Sequence, residues 1–234
     1  MTSDLRFEKA GVEATLKIVV SPRARVMRLR VDGRSGAVVL TIPKRASRRQ
    51  ALEWAAAHRV WVEAQLAKIE PASSLGDGAE LPIEGVPHRI RWDPSASRVP
   101  KREGEELVVG GPADNLDARI LRWLRRHASE ILSRETQEFA SMAGVSVSRV
   151  GVGDPMSRWG SCSSSGAIRY SWRLVLAPAW VRRATVAHEV AHRVHMNHGP
   201  EFHALVERLL GTDPKPARLW LRRHGAALHR IARI

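Results

Sequence analysis

The chain has one cysteine, one tyrosine and three phenylalanines among 234 residues. The single thiol, Cys162, excludes an internal disulfide and fits a reducing compartment. With so few free aromatic faces, and with arginine spread along the chain instead of clustered beside them, the pattern of a single-strand nucleic-acid binder is not met. Long apolar runs are missing too. No stretch of about eighteen apolar residues is present, which excludes a conventional membrane-spanning helix. The first twenty residues contain Asp4, Arg6, Glu8, Lys9, Glu13 and Lys17 and no apolar h-region, so no secretory signal is expected. These absences predict a soluble, cytoplasmic protein without membrane contact.

What the chain does have is positive charge and enough apolar residues for a core. Hydrophobic residues make up 44%, and 38 Lys and Arg against 24 Asp and Glu give a formal net charge of +14. Two readings of that charge stay open: a surface that meets nucleic acid or acidic partners, or a solvated surface that reflects an Arg- and Ala-rich composition.

Taken in order, residues 14–42 read as a β-meander. Leu16, Ile18 and Val20 alternate with other residues, as do Met27, Leu29 and Val31, and then Val38, Leu40 and Ile42 after the turn Asp32-Gly33-Arg34-Ser35-Gly36. Ser47 and Gln50 form a capping box for a helix running to about Ile69. Residues 71–78 read as a loop, 81–92 as a hairpin turning at Glu84-Gly85, and 106–109 as a strand ending at Gly110-Gly111-Pro112, the candidate domain boundary. Asp114 or Asn115 caps a long helix closed by Gly144, whose outer face bears Arg119, Arg122, Arg125, Arg126 and His127. Strands follow over 146–152 and 167–176. A helix opened by Pro178 comes next, with an apolar stripe of Trp180, Ala184, Ala187, Ala191 and Val194, and the end is helical over 200–210 and about 216–231.

The third-from-last helix signal carries His188-Glu189-Val190-Ala191-His192, with His198 six residues on. Positions four apart on a helix lie about 40° apart around the axis and about 6 Å along it, so two imidazoles project from one face and can share a metal. Catalytic zinc takes three protein ligands and leaves one position open. His198 is the natural third ligand, but an unbroken helix would carry it about 240° away. The helix is therefore expected to stop near His195, with Asn197 in a left-handed conformation and Gly199-Pro200 breaking it. Glu201 and Glu207 are rival third ligands. Glu189 is placed to act as general base on a metal-activated water, while Tyr170 and His195 are candidates for the second oxyanion donor. Cys162 reads as structural, because a fourth protein ligand would close the site to water. His203 reads as either a support for the ligands or an exposed residue.

Residues of about 150–210 resemble the YgjP-like metallopeptidase family, relatives of SprT-type zinc proteases. The resemblance is carried by Arg158-Trp159-Gly160-Ser161-Cys162-Ser163, Gly166, Arg173-Leu174, Pro178, the two-His motif, Asn197-His198 and Phe202. Thr41 to Ser47 looks like the family's amino-terminal region. Val190, Gly199 and His203 depart from the pattern, where Leu, Ser and Trp are usual. The resemblance implies a Zn2+-dependent peptidase acting on a protein or peptide substrate, with His188, His192 and His198 as metal ligands and Glu189 as catalytic residue. The expected class is α+β: an N-terminal, mainly antiparallel β region with a helix over 1–112, then a zincin-like helical metallopeptidase domain with a small sheet over 113–234. Two other readings are carried alongside: a nucleic-acid-associated protein whose zinc site is structural or whose proteolysis is confined to nucleic-acid-bound proteins, and a chaperone or inactive scaffold. The intact Glu189 argues against the last.

Overall fold

A computed structural model describes residues 5–9, 12–32, 36–68 and 75–232. Gly33 to Ser35 of the expected turn, the expected helix end at Ile69 and the first residues of the 71–78 loop lie outside them. The chain divides into two compact units, Met1–Ala72 and Ser73–Ile234, and combines helices with mixed sheets in an α+β arrangement.

In the first unit, strands β1 (Arg6–Lys9), β2 (Val12–Ser21), β3 (Arg28–Val31) and β4 (Val38–Pro43) form one sheet in the order β1-β2-β4-β3. The expected alternation is present: Val38, Leu40 and Ile42 are buried and the residues between them are half-buried. The meander is not. β4 lies between β2 and β3, parallel to β2 and antiparallel to β3. The period-2 pattern shows that each strand has a dry face but says nothing about which strand it pairs with. Ser47 Oγ accepts from Gln50 N at 3.4 Å and starts α1 (Arg48–Ala57). The single expected helix is broken at His58, whose Nδ1 bonds to Trp54 O at 2.8 Å and takes a carbonyl that a continuing helix would have used. α2 (Arg59–Leu66) follows, and Ala51, Ala55, Val62 and Leu66 pack with Phe7, Leu16, Val38, Leu40 and Ile42 in one core.

The second unit begins with β5 (Glu80–Ile83) and β6 (Val86–Trp92), then β7 (Lys101–Glu103) and β8 (Glu106–Val109), ordered β5-β6-β8-β7. The β5–β6 turn has positive φ at both Glu84 (54°) and Gly85 (81°), the backbone of a tight hairpin. α3 (Leu116–Ala143) is the expected long helix, about 42 Å at 1.5 Å per residue, with Asn115 at its N-cap position but making no side-chain capping bond. It buries Ile120, Leu124, Ala128, Ile131, Leu132 and Phe139 and ends at Gly144 with φ 66°. β9 (Arg149–Gly153), β10 (Gly160–Cys162) and β11 (Ala167–Ser171) form a small sheet with β11 in the middle. The strand expected to reach residue 176 stops at Ser171, whose Oγ accepts from Arg173 N at 3.3 Å and caps a 3-10 turn over Trp172–Val175. α4 (Ala179–Ala191), α5 (Pro200–Leu210) and α6 (Lys215–Arg230) complete the chain.

The compact units part at 72/73, whereas the sequence reading placed its boundary at 112/113, inside the second unit. The reason is packing. Leu81, Ile83, Ile90, Leu107 and Val109 of β5–β8 share one buried cluster with α3, the 3-10 turn and α4. The β5–β6 turn also docks directly: Glu84 N donates to Val175 O at 2.6 Å and Gly85 N to Leu176 O at 3.2 Å. A side chain at Gly85 would collide with Pro178, 2.7 Å from its Cγ. Below this contact the Arg182 guanidinium, 2% exposed, bonds both oxygens of Glu135 and reaches Glu84 at 3.2 Å. These contacts fix the start of α4. Within α4 the expected apolar stripe is partly overturned, because Trp180 and Val194 are about half exposed and the buried face runs through Val181, Ala184, Ala187, Val190 and Ala191.

Candidate metal centre

α4 delivers His188 and His192 from consecutive turns and then ends at Ala191, with His192 as its C-cap. The helix stops earlier than the sequence suggested. Tight bonds close it: Arg193 N to Val190 O at 2.8 Å, Val194 N to Ala191 O at 3.0 Å and His195 N to Ala191 O at 2.9 Å. The left-handed Asn197 is not realised; among the described residues only Glu84 and Ala232 have positive φ without being glycine. Gly199 is extended backbone (φ −78°, ψ 179°), and Pro200 occupies the first turn of α5, where its missing N–H costs little. The reversal brings His198 back over the helix.

The three imidazoles converge. One ring nitrogen from each of His188, His192 and His198 lies within 4.8 Å of the others, and Nε2 of His198 is 3.2 Å from Nε2 of His188. Two nitrogens bound at about 2.05 Å around a tetrahedral ion would be about 3.3 Å apart, so the His188–His198 spacing suits two donors to one metal ion. His192 Nδ1 lies 3.1 Å from the His195 carbonyl and donates to it, which leaves Nε2 as the free lone pair. Burial first, then the neighbouring His192 and His198, pushes the His188 pKa down to about 4, and burial also lowers that of His192. Neutral imidazole is the ligand form. Beneath all three rings lies Phe202, fully buried, with its centroid 4.8, 4.6 and 4.7 Å from those of His188, His192 and His198. α5 thus supplies an apolar floor that holds the donors in place.

Glu189, 6% exposed, sits beside the trio and faces β10. Burial raises its pKa to about 7, against the pull of Arg158. It lies so close over Gly160 that a Cβ there would be 2.5 Å from Oε1 and 2.6 Å from Cγ. This gives the Arg-Trp-Gly segment a physical meaning: the glycine leaves room for the carboxylate, and the tryptophan anchors the strand. Trp159 packs over Gly225 of α6, where a side chain would stand 2.7 Å from the ring, and lies 4.8 Å from the His229 ring. Gly166 (φ +87°) similarly admits Arg193, which donates Nε to Ser146 O at 3.0 Å and ties the residues after α4 to the segment leading into β9.

The remaining candidates fall elsewhere. Glu201 and Glu207 are outside the ligand cluster, and the side chain of Glu201 is 85% exposed, 3.7 Å from His195 Nδ1. Cys162 is half-buried, its thiol pKa raised by burial, and it is not part of the trio. Tyr170 is fully buried and its hydroxyl pairs with Thr136 Oγ1 at 3.0 Å, which in turn donates to Leu132 O, so it belongs to the core behind the site. His195 serves through its carbonyl, while its ring faces Glu201. His203 lies 6.4 Å from the His198 ring, at the rim of a pocket of about 180 Å³. Sequence reasoning left Phe202 and Gly160 as pattern residues without a task; the signals were an aromatic four residues after the third histidine and a glycine inside an otherwise strand-like run.

Among the described residues, His188, His192 and His198 are the one group of three His, Cys, Asp or Glu side chains arranged to hold a metal ion. Their fit, with a buried carboxylate alongside, is that of a centre able to activate water. No helix is long and apolar enough to cross a membrane among the described residues. No curated protein and no solved structure matches the chain. The family model described as "YgjP-like, metallopeptidase domain" matches residues 25–224, which spans both compact units and includes every residue of this centre, and on that match the chain belongs to the YgjP-like metallopeptidase family.

Proposed function

We propose that this metallopeptidase is a zinc enzyme that hydrolyses peptide bonds, with His188, His192 and His198 as metal ligands and Glu189 as general base. The observation that carries the reading is the convergence of three imidazoles beside one buried carboxylate. Zinc bound there would supply Lewis acidity, polarising the scissile carbonyl and lowering the pKa of water towards 7. The chain's own residues do the rest. The His195 carbonyl keeps His192 in the tautomer that offers Nε2. Phe202 excludes water from below the ligands. Glu189, held away from bulk solvent against Gly160, takes the proton of the attacking water at a carboxylate oxygen and returns it to the leaving amine nitrogen.

The test pairs metal analysis with proteolysis. The purified protein is expected to carry about one zinc, and Glu189→Gln is expected to keep it while peptide hydrolysis falls by about 10²–10⁴-fold. A glutamine variant that cleaves at the wild-type rate removes Glu189 from the mechanism. A wild-type protein that binds no metal removes the centre.

A second reading, association with nucleic acid, draws on a different surface. Arg98, Arg119, Arg122 and Arg126 line one pocket of about 590 Å³ together with Trp123. Two of these cations are already engaged: Arg126 pairs with Glu130 at 2.8 Å and Arg119 donates to Pro112 O at 2.5 Å. The Trp123 ring is stacked on His127. Binding to a random-sequence oligonucleotide should fall steeply with salt and weaken in Arg98→Glu/Arg122→Glu. No binding at low salt eliminates this reading and leaves the peptidase reading untouched.

A further inference from the structure

The pocket beside Glu189 is built from core residues but opens onto the metal centre. Its walls are Ala184 on α4, Val206 on α5 and Ala217 and Leu221 on α6, each at most 9% exposed, with Trp159 closing one side. The one hydroxyl on the α4 wall, Thr185, is turned to its own helix and donates to Val181 O at 3.3 Å. Away from His188 and Glu189 the interior therefore offers little for a polar group to bond. His188 and Glu189 form part of the same lining, so whatever enters the pocket lies against the reacting centre. At the rim stand two exposed groups, His203 from α5 and Arg218 from α6.

We propose that this pocket is the specificity site of the peptidase and takes a large apolar side chain, Phe, Leu or Met, of the substrate residue flanking the scissile bond, with Arg218 at its rim excluding Lys and Arg. The assignment rests on the peptidase reading above. Size supports it: the volume of about 180 Å³ exceeds the roughly 150 Å³ of an apolar cavity that admits benzene. Charge supports it as well. A lysine or arginine side chain entering here would lose its water shell in an apolar chamber and meet the Arg218 guanidinium at the mouth. An alanine or glycine would enter without filling it. Cleavage should follow the filling of the pocket, since differential binding in the transition state sets kcat/KM.

The experiment is cleavage of a mixed peptide library by the zinc-loaded protein, with sites read by mass spectrometry. One position flanking the cut bond is expected to be enriched at least about tenfold for Phe, Leu or Met over Ala and depleted of Lys and Arg. Ala217→Leu, which fills the chamber, should lower kcat/KM for a Phe-containing peptide about tenfold more than for its Ala counterpart. Arg218→Glu, an exposed change that does not burden folding, should relieve the depletion of Lys and Arg. Cleavage without preference at either flanking position overturns the assignment, as does an Arg218→Glu enzyme with an unaltered Lys and Arg profile. Should the wild-type protein cleave no peptide, the peptidase reading fails, and the pocket is read instead by binding. A benzyl-substituted hydroxamate should then bind the zinc-loaded protein at least about tenfold tighter than a methyl-substituted one, and equal affinities overturn the pocket as well.

Discussion

Gly160→Ala isolates the position of Glu189 from its chemistry. A Cβ at this site falls 2.5 Å from Oε1, 2.6 Å from Cγ and 2.7 Å from Cδ of Glu189. Packed heavy atoms prefer about 3.5–4.0 Å, so the glutamate chain has to withdraw by about 1 Å. The backbone of Gly160 lies outside the left-handed region, so the substitution adds no conformational strain of its own. The pocket beside the carboxylate offers the space into which it moves, which places the folding cost near the low end of the about 1–3 kcal/mol typical of overpacking. At about 1 kcal/mol the melting temperature of a unit this size falls by about 2–4 °C. Catalysis should suffer far more, because a displacement of about 1 Å at a reacting group costs on the order of 10²-fold in rate. His188, His192 and His198 are not touched. The assay is kcat at saturating peptide, with zinc content and thermal melting measured on the same preparation. The expected result is a kcat reduced about 10²-fold with zinc retained. An unchanged kcat would refute the view that Gly160 sets the carboxylate position, and loss of zinc would show that the contact acts through the ligands instead.

Phe202→Ala removes the floor under all three imidazoles and is expected to cost about 3–5 kcal/mol in a thermal or denaturant melt and to weaken zinc affinity about 10–100-fold in a chelator competition; unchanged affinity would show that the rings hold their places without it. Tyr170→Phe leaves Thr136 bonded to Leu132 O, so stability should drop by about 1 kcal/mol with kcat intact, and a fall in kcat of about 10²-fold would instead make the hydroxyl an oxyanion donor. Asp154 bonds the buried Arg173 at 2.7 and 3.0 Å; burial works to raise its pKa, but the guanidinium outweighs burial and holds the carboxyl below the ordinary range. A depressed folded-state pKa means that the pair stabilises fully above the unfolded Asp value and is lost as pH falls through the folded one. Melting temperature should therefore decline below about pH 4, and Asp154→Asn should cost about 1.5–3 kcal/mol at neutral pH while flattening that acid limb. A variant as acid-labile as the wild type would assign the limb to other carboxylates.

Much of the centre was legible in the chain because its signals are local. Histidines four apart on a helix must share a face, and a third histidine six residues on, just ahead of Gly199-Pro200, calls for a helix break and a reversal, so the trio follows from spacing and breaker chemistry. Caps and turns behaved likewise: Ser47, Gly144, the Glu84-Gly85 hairpin and Pro200 each act through neighbours within a few residues. The first sheet shows where that reach ends. β2, β3 and β4 were found by alternation, but the parallel pairing of β2 with β4 is a choice among equally patterned edges that only the packed core resolves.

By itself the sequence determined that an α+β chain carries a helix with two facing histidines, a carboxylate beside them and a third histidine beyond a break, because those relations depend on 3.6-residue geometry and on backbone preferences. Tertiary structure decided the rest. It placed Phe202 beneath the rings and the Gly160 backbone against Glu189, turned the His195 carbonyl to His192, buried Tyr170 in the core, and joined β5–β8 to the second unit. Each is a contact between residues that one-dimensional periodicity treats as independent, and each is fixed by which surfaces exclude water together, a property of the assembled core.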